Sequence, residues 1–147
     1  MTVYELITKH EGRRKKPYKC TAGKKTIGIG WNYDDNPLPV YIAAYLKKHG
    51  EITDEMINYL LDISVGRAID DCRTLFPDFD GFSINRQMAL TDFVFQLGRK
   101  TASTFVNSIA MINTGRWEEA AENMMKSRWA TQTPKRAEEV TDLIAAG

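Results

Sequence analysis

Glu11, Cys20 and Thr26 are the residues of this chain whose types and spacing could do chemistry together. Glu11 falls at the end of a short amphipathic stretch, and a glycine-rich hairpin follows it. That arrangement can project a carboxyl into a recess. Cleaving a glycosidic bond needs a proton-bearing carboxyl beside the leaving oxygen, and usually a second group that handles water or the ring carbon. A thiol ionises at about pH 8.5 when free and lower beside cations. Arg13, Arg14, Lys15, Lys16, Lys19, Lys24 and Lys25 make the segment around Cys20 strongly basic. A thiolate there could offer negative charge to an oxocarbenium-like transition state, or act as base or nucleophile. On spacing alone the trio decides little, because a glutamate at a helix C-terminus is more commonly a solvated charge.

The elements that must position these residues follow from pattern. Val3, Leu6 and Ile7 have helical spacing, Thr2 can cap them and Gly12 can stop them, which predicts a helix ending near Glu11. Residues 13–35 carry Pro17, Gly23, Gly28 and Gly30 among Tyr18, Thr26, Ile27, Ile29 and Trp31. Glycines interleaved with β-branched and aromatic residues predict a small antiparallel sheet, turning at Ala22-Gly23-Lys24. Asn32 to Pro39 has loop composition. From residue 40 the chain reads as helix. Thr53 caps one running to about Leu75, and Ser83 caps another ending at Gly98. Further helices are expected at Phe105–Ile112 and Trp117–Trp129. Thr133-Pro134 opens the last, with proline at its favoured first position.

Bulk properties narrow the class. The 147 residues suit one compact domain, 43% hydrophobic and 27% charged, with a formal net charge of +1. That charge gives no overall pull toward nucleic acid or an anionic surface. The cysteines Cys20 and Cys72 make no disulfide framework and read as free thiols. No apolar run approaches the roughly 20 residues of a membrane span, and the N-terminus does not read as a signal peptide. His10 and His49 lack zinc spacing and read as surface or capping residues. Trp117 and Trp129 read as core. The basic run 13–16 reads as a solvated or glycan-facing rim, without a nucleic-acid-binding motif.

The stretch Glu11-Gly12, Tyr18-Lys19-Cys20 and Thr26-Ile27-Gly28-Ile29-Gly30 resembles the active-site signature of the phage-type lysozymes. In that family a glutamate is followed by eight residues, an aspartate or cysteine, five residues and a threonine; the intervals here are the same. The C-terminal half is similar too, in Phe95-Gln96-Leu97-Gly98, Phe105-Val106-Asn107-Ser108, Arg116-Trp117-Glu118-Glu119-Ala120-Ala121, Lys126-Ser127-Arg128-Trp129 and Gln132-Thr133-Pro134-Lys135-Arg136-Ala137. The resemblance covers residues 1–30 and 85–147 well and 31–84 poorly.

What the resemblance implies is specific. The fold is α+β and mainly α: a two-lobe domain over residues 1–147, with a small antiparallel sheet in the lobe 12–52, a joining helix 53–73 and a helical lobe 74–147 on which helix 2–11 packs. The substrate cleft lies between the lobes. Glu11 is implied as the general acid, Thr26 as the holder of the attacking water, and Cys20 as the third catalytic residue. Asn32, Phe95, Ser108, Asn123, Gln132 and Arg136 are implied as substrate-binding, with Arg136 reaching toward Glu11. The implied reaction is endo-hydrolysis of the β-1,4 bond between N-acetylmuramic acid and N-acetylglucosamine, with peptidoglycan as partner. No cofactor, metal, nucleic acid or membrane insertion is implied, and the expected state is a monomer. The implied setting is host cytoplasm, with a pore made by another protein giving access to the wall. A lytic transglycosylase or an inactive wall-binding module are the alternatives.

Three positions depart from the best-known members. Cys20 stands where they have aspartate, although the family pattern admits cysteine. Trp31 stands where histidine is frequent, and Asn32 where leucine is frequent. Trp31 and Tyr33 could stack on sugar rings, though core packing is the simpler role.

Overall fold

A computed structural model describes residues 1–147 and divides into two compact units, one of Tyr4–Val65 and one of Met1–Val3 with Gly66–Gly147. Mainly helical, with a small antiparallel sheet near the N-terminus, it has the lysozyme-like α+β class expected.

Helix α1 (Val3–Glu11), which from Tyr4 onward belongs to the first unit, buries Leu6 and Ile7 completely. Burying two such side chains is worth about 1.5–3 kcal/mol each, enough to anchor a helix too short to be stable alone. Gly12 ends it with φ +79, and its amide donates to the Thr8 carbonyl at 2.8 Å. Glu11 is therefore held as the last helical residue.

Strands β1 (Arg14–Lys19), β2 (Lys25–Gly28) and β3 (Trp31–Asn32) form an antiparallel sheet in the order β1-β2-β3. Tyr18 pairs with Thr26, and Thr26 in turn with Asn32; a register shift lies between Arg14 and Tyr18. β2 is the central strand, with Thr26, Ile27 and Gly28 buried. β1 is an edge strand, and exposed Arg14, Lys15 and Lys16 blunt that edge against pairing with another chain. Part of the basic run is structural: Arg13 and Lys15 both pair with Asp54, at 3.1 and 3.4 Å. Trp31 is core, 5% exposed, with its indole N–H donating to the Asn36 carbonyl at 2.9 Å.

Helix α2 (Val40–His49) buries only Ile42 and stops at Gly50 in the left-handed conformation. Helix α3 (Asp54–Leu75) begins where the Thr53 hydroxyl accepts from the Met56 amide at 3.1 Å, the cap expected from the sequence. Its residues to Val65 belong with the sheet and those from Gly66 with the helical unit.

The helical unit holds α4 (Ile84–Ala102), α5 (Val106–Asn113), α6 (Trp117–Met125), α7 (Arg128–Gln132) and α8 (Pro134–Ala146). Its core gathers Cys72, Phe76, Leu90, Phe93, Ile112, Met124, Trp129, Val140 and Ile144 among others. Phe93 meets Trp129 and Phe105 edge-on, at 4.9 and 5.0 Å between ring centroids. Ser83 caps α4 by accepting from the Arg86 amide at 3.2 Å.

Three boundaries differ from the sequence reading. Gly98 kinks α4 (φ 78, ψ 157) without ending it. The single helix expected over 117–129 is two, because the Ser127 hydroxyl takes the Ala130 amide and starts a new turn. Thr133 does not cap α8 with its side chain: its hydroxyl donates to the Trp129 carbonyl at 3.1 Å and accepts from the Gln96 amide at 3.3 Å.

Candidate functional site

The turn after β1 builds the first part of the site. The Cys20 amide donates to the Lys24 carbonyl at 3.0 Å, and the Gly23 amide to the Cys20 carbonyl at 2.8 Å. This closes the chain over residues 20–24, with Gly23 at φ +77 as the expected turn glycine. The Cys20 thiol is held below its ordinary range, first by a hydrogen bond from the Lys24 backbone. Bonds with the Ala22 backbone and the Thr26 side chain add to this against a cost of burial. The turn's own hydrogen bonds, more than the surrounding cations that the sequence suggested, favour the thiolate. Thr26 is 2% exposed, and its hydroxyl also lies 3.0 Å from the Lys24 carbonyl, to which it donates.

Glu11 enters from α1. Its carboxyl lies against Gly30, in the turn between β2 and β3. A methyl group built on Gly30 would fall 2.9 Å from Oε1 and 3.0 Å from Cδ. Only a residue without Cβ admits the carboxyl there, and Gly30 also needs φ +69.

Tyr18 links these two parts and was not singled out as a site residue from sequence. Its ring lies under the Arg14 guanidinium, 4.7 Å from centroid to Cζ. Burial raises its hydroxyl pKa; the negative charges of Glu11 and Cys20 raise it further, against Arg14 and a hydrogen bond with the Gly30 backbone. Glu11, Cys20, Thr26 and Gly30 thus share one neighbourhood inside a single compact unit. Its signal in the sequence was its place in the matched stretch Tyr18-Lys19-Cys20.

Asn32 turns its side chain to its own loop. Its Nδ2 donates to Asp35 at 2.9 Å, and its Oδ1 accepts from the Asp34 and Asp35 amides at 3.0 and 3.2 Å.

In the helical unit, Ser108, Asn123 and Gln132 line one pocket of about 520 Å³, together with Phe105, Arg128 and Trp129. Asn123 Nδ2 donates to the buried Ser108 hydroxyl at 2.8 Å. Trp129 donates its indole N–H to Gln96 at 2.8 Å, which fixes the pocket wall. Phe95 is half-buried on α4 and does not line this pocket. Arg136 is paired through Nε and Nη2 with Asp92, a carboxylate fully buried in the same unit. Neither Asp92 nor Gln96 stood out as functional from sequence, since each sits on a helix face that reads as ordinary packing.

A phage lysozyme family model matches residues 8–143. Among relatives, the chain is 33% identical to probable T4-type lysozyme 2 of Dictyostelium discoideum, over 97% of its own length and 93% of that protein's. It is 30% identical to probable T4-type lysozyme 1 of the same organism, over 99% and 95%. It is also 30% identical to the pre-baseplate central spike protein Gp5 of Enterobacteria phage T4; there its whole length corresponds to 28% of the longer protein. With a family match over most of the chain and relatives similar from end to end, the chain belongs to the phage lysozyme family and is an enzyme of the lysozyme type.

Proposed function

We propose that this enzyme hydrolyses peptidoglycan glycan strands from within, cutting the β-1,4 bond between N-acetylmuramic acid and N-acetylglucosamine. The observation that carries the reading is the gathering of Glu11, Cys20 and Thr26 around Tyr18 and Gly30 in one unit. Glu11 gives its proton to the leaving oxygen. Thr26 orients the attacking water, and Cys20, with its thiolate favoured by the turn, stabilises the positive charge that develops on the ring. Attack on the face opposite the acid inverts the anomeric carbon. Ser108, Asn123 and Gln132 bind sugar or peptide substituents along their pocket. Phe95, Arg136 and Asn32 are assigned further substrate contacts, Asn32 through the loop it organises. No helix is long and apolar enough to cross a membrane, and the lytic setting we propose is a phage-infected cell, with wall access through a pore formed by another protein and the enzyme acting as a monomer.

Mass spectrometry of digested peptidoglycan tests the reaction. Reducing muramic ends are expected; anhydro ends would make the enzyme a transglycosylase, and intact glycan would make it a binding module. Glu11→Gln should lower the rate by about 10²–10⁴-fold, because an amide cannot donate the proton. Wall clearing by that variant at the wild-type rate would remove Glu11 from the mechanism.

A further inference from the structure

Seven cations lie between Arg13 and Lys25, and contacts within the fold account for four of them. Arg13 and Lys15 pair with Asp54, and Lys24 with Asp35 at 3.4 Å. Arg14 lies over the Tyr18 ring. Lys16, Lys19 and Lys25 are exposed and pair with no carboxylate. Asp34 accepts from the Lys25 backbone amide at 2.8 Å and makes no ion pair with its ammonium group. Lys19 and Lys25 are also direct partners in the β1–β2 register. Residues so placed share one face of the sheet, with Cβ atoms about 4.5–5.5 Å apart, and like charges there are destabilising. Lysine on an edge strand protects that edge, but Lys25 is on the central strand, with its carbonyl taken by the Tyr33 amide at 2.9 Å. Nor do these cations tune Cys20, whose thiol answers to the hydrogen bonds of its own turn. A local rule broken without a compensating partner points to function.

We propose that Lys19 and Lys25, with Lys16 further back along β1, dock the carboxylates of the peptides that peptidoglycan carries on its glycan strands. This rests on the reading of peptidoglycan as the substrate. A carboxylate set between the two ammonium groups replaces their repulsion with two attractions. Lysine is a compact point charge without the rigid fork of arginine, and suits isolated charges on a flexible chain. Strand alternation turns Thr26 inward, 2% exposed, and Lys25 outward. The lysines therefore meet a branch of the substrate and not the glycan bond itself. A peptide of about four residues reaches about 13 Å when extended, enough to pass around an edge whose strands are about 4.8 Å apart. Lys19 directly precedes Cys20, and Lys25 directly precedes Thr26, so a peptide held there tethers its glycan next to the candidate catalytic turn. The formal net charge of +1 gives little long-range pull. The patch acts at contact, on affinity.

Lys19→Gln combined with Lys25→Gln removes both charges and keeps polar side chains of similar reach. On soluble peptide-bearing glycan fragments at low salt, KM should rise about tenfold with kcat within about twofold, the mark of lost uniform binding. Conversion of the peptide carboxylates to amides should raise the wild-type KM by a similar factor and leave the double variant unaffected. Molar salt, which shortens the screening length to about 3 Å, should close the gap on the acidic fragments. Lys19→Gln alone should raise the thermal midpoint at low salt by up to a few degrees, because it relieves the cross-strand repulsion. An unchanged KM, an equal loss on the amidated fragments, or a lowered midpoint would overturn the proposal. Calorimetric binding of both fragments to Glu11→Gln reads the same contacts without turnover. Tighter binding of the acidic fragment supports the docking surface. Equal binding of the two overturns it alone, whereas binding of neither overturns the substrate reading on which it rests.

Discussion

Gly30→Ala perturbs the site at its tightest point. Two costs arise together. Alanine at φ +69 adopts a left-handed backbone, at about 1–2 kcal/mol. Its methyl carbon would also sit 2.9 Å from Glu11 Oε1, 3.0 Å from Cδ and 3.3 Å from Cγ, where ordinary contact begins at 3.4 Å. The carboxyl must therefore retreat by about 0.5 Å or more, the tolerance within which catalytic groups work. With losses of around 10²-fold per 1 Å of misplacement, the variant should lose about 10–100-fold in kcat. Gly50→Ala is the matched control. It bears the same backbone cost at φ +75, as the cap of α2, but nothing lies within 4 Å of the added carbon. Both variants should lose a few degrees of thermal midpoint, and only Gly30→Ala should lose activity beyond that. Wall-turbidity clearing and thermal melts of the pair decide it. If Gly30→Ala clears like wild type, or Gly50→Ala loses equal activity, steric placement of Glu11 by Gly30 is wrong.

Thr26→Val keeps the shape of the buried side chain but removes its hydroxyl; hydrolysis should be lost with the fold intact, shown by an unchanged circular dichroism spectrum and absent product. Cys20→Asp should stay active and Cys20→Ala should be impaired, as read by product release from the same glycan. Thiol reagents on the native protein should modify Cys20 first, with a pH midpoint below that of an ordinary thiol, and Cys72 should react only on unfolding. Burial pushes the Cys72 thiol up to about 12. The folded state therefore keeps a proton that the unfolded chain gives up above about pH 8.5. Stability contributed by this group should fall as pH rises from there toward 12, at up to about 1.4 kcal/mol per pH unit. Urea unfolding between pH 8 and 11 should show that slope, and Cys72→Ala should flatten it. Asp92→Asn leaves Arg136, 11% exposed at its side chain, without its buried counter-charge, and should cost on the order of 3 kcal/mol in denaturant unfolding.

The sequence by itself determined the features whose physics is local. Gly12 stops α1 at Glu11, Thr53 starts α3 and Ser83 starts α4, because a cap joins groups only three or four residues apart. The hairpin between Cys20 and Lys24 follows from composition, whereas Trp31, open in the sequence between sugar stacking and core packing, is core in the structure. The interval from Glu11 through Cys20 to Thr26 was legible before any fold, and it led to the family. Only the tertiary structure decided which groups those residues answer to. Gly30 meets Glu11 across nineteen residues of chain, and Arg136 finds Asp92 on another helix. Thr133, with the sequence of a helix cap, donates its hydroxyl to the Trp129 carbonyl and accepts from the Gln96 amide. Cys20 owes its lowered pKa first to a backbone hydrogen bond, although the sequence around it is rich in cations. Charge and periodicity can be counted along a chain; a hydrogen bond or a missing Cβ acts over about 3 Å, and such distances between remote residues exist only once strand register and helix packing are fixed.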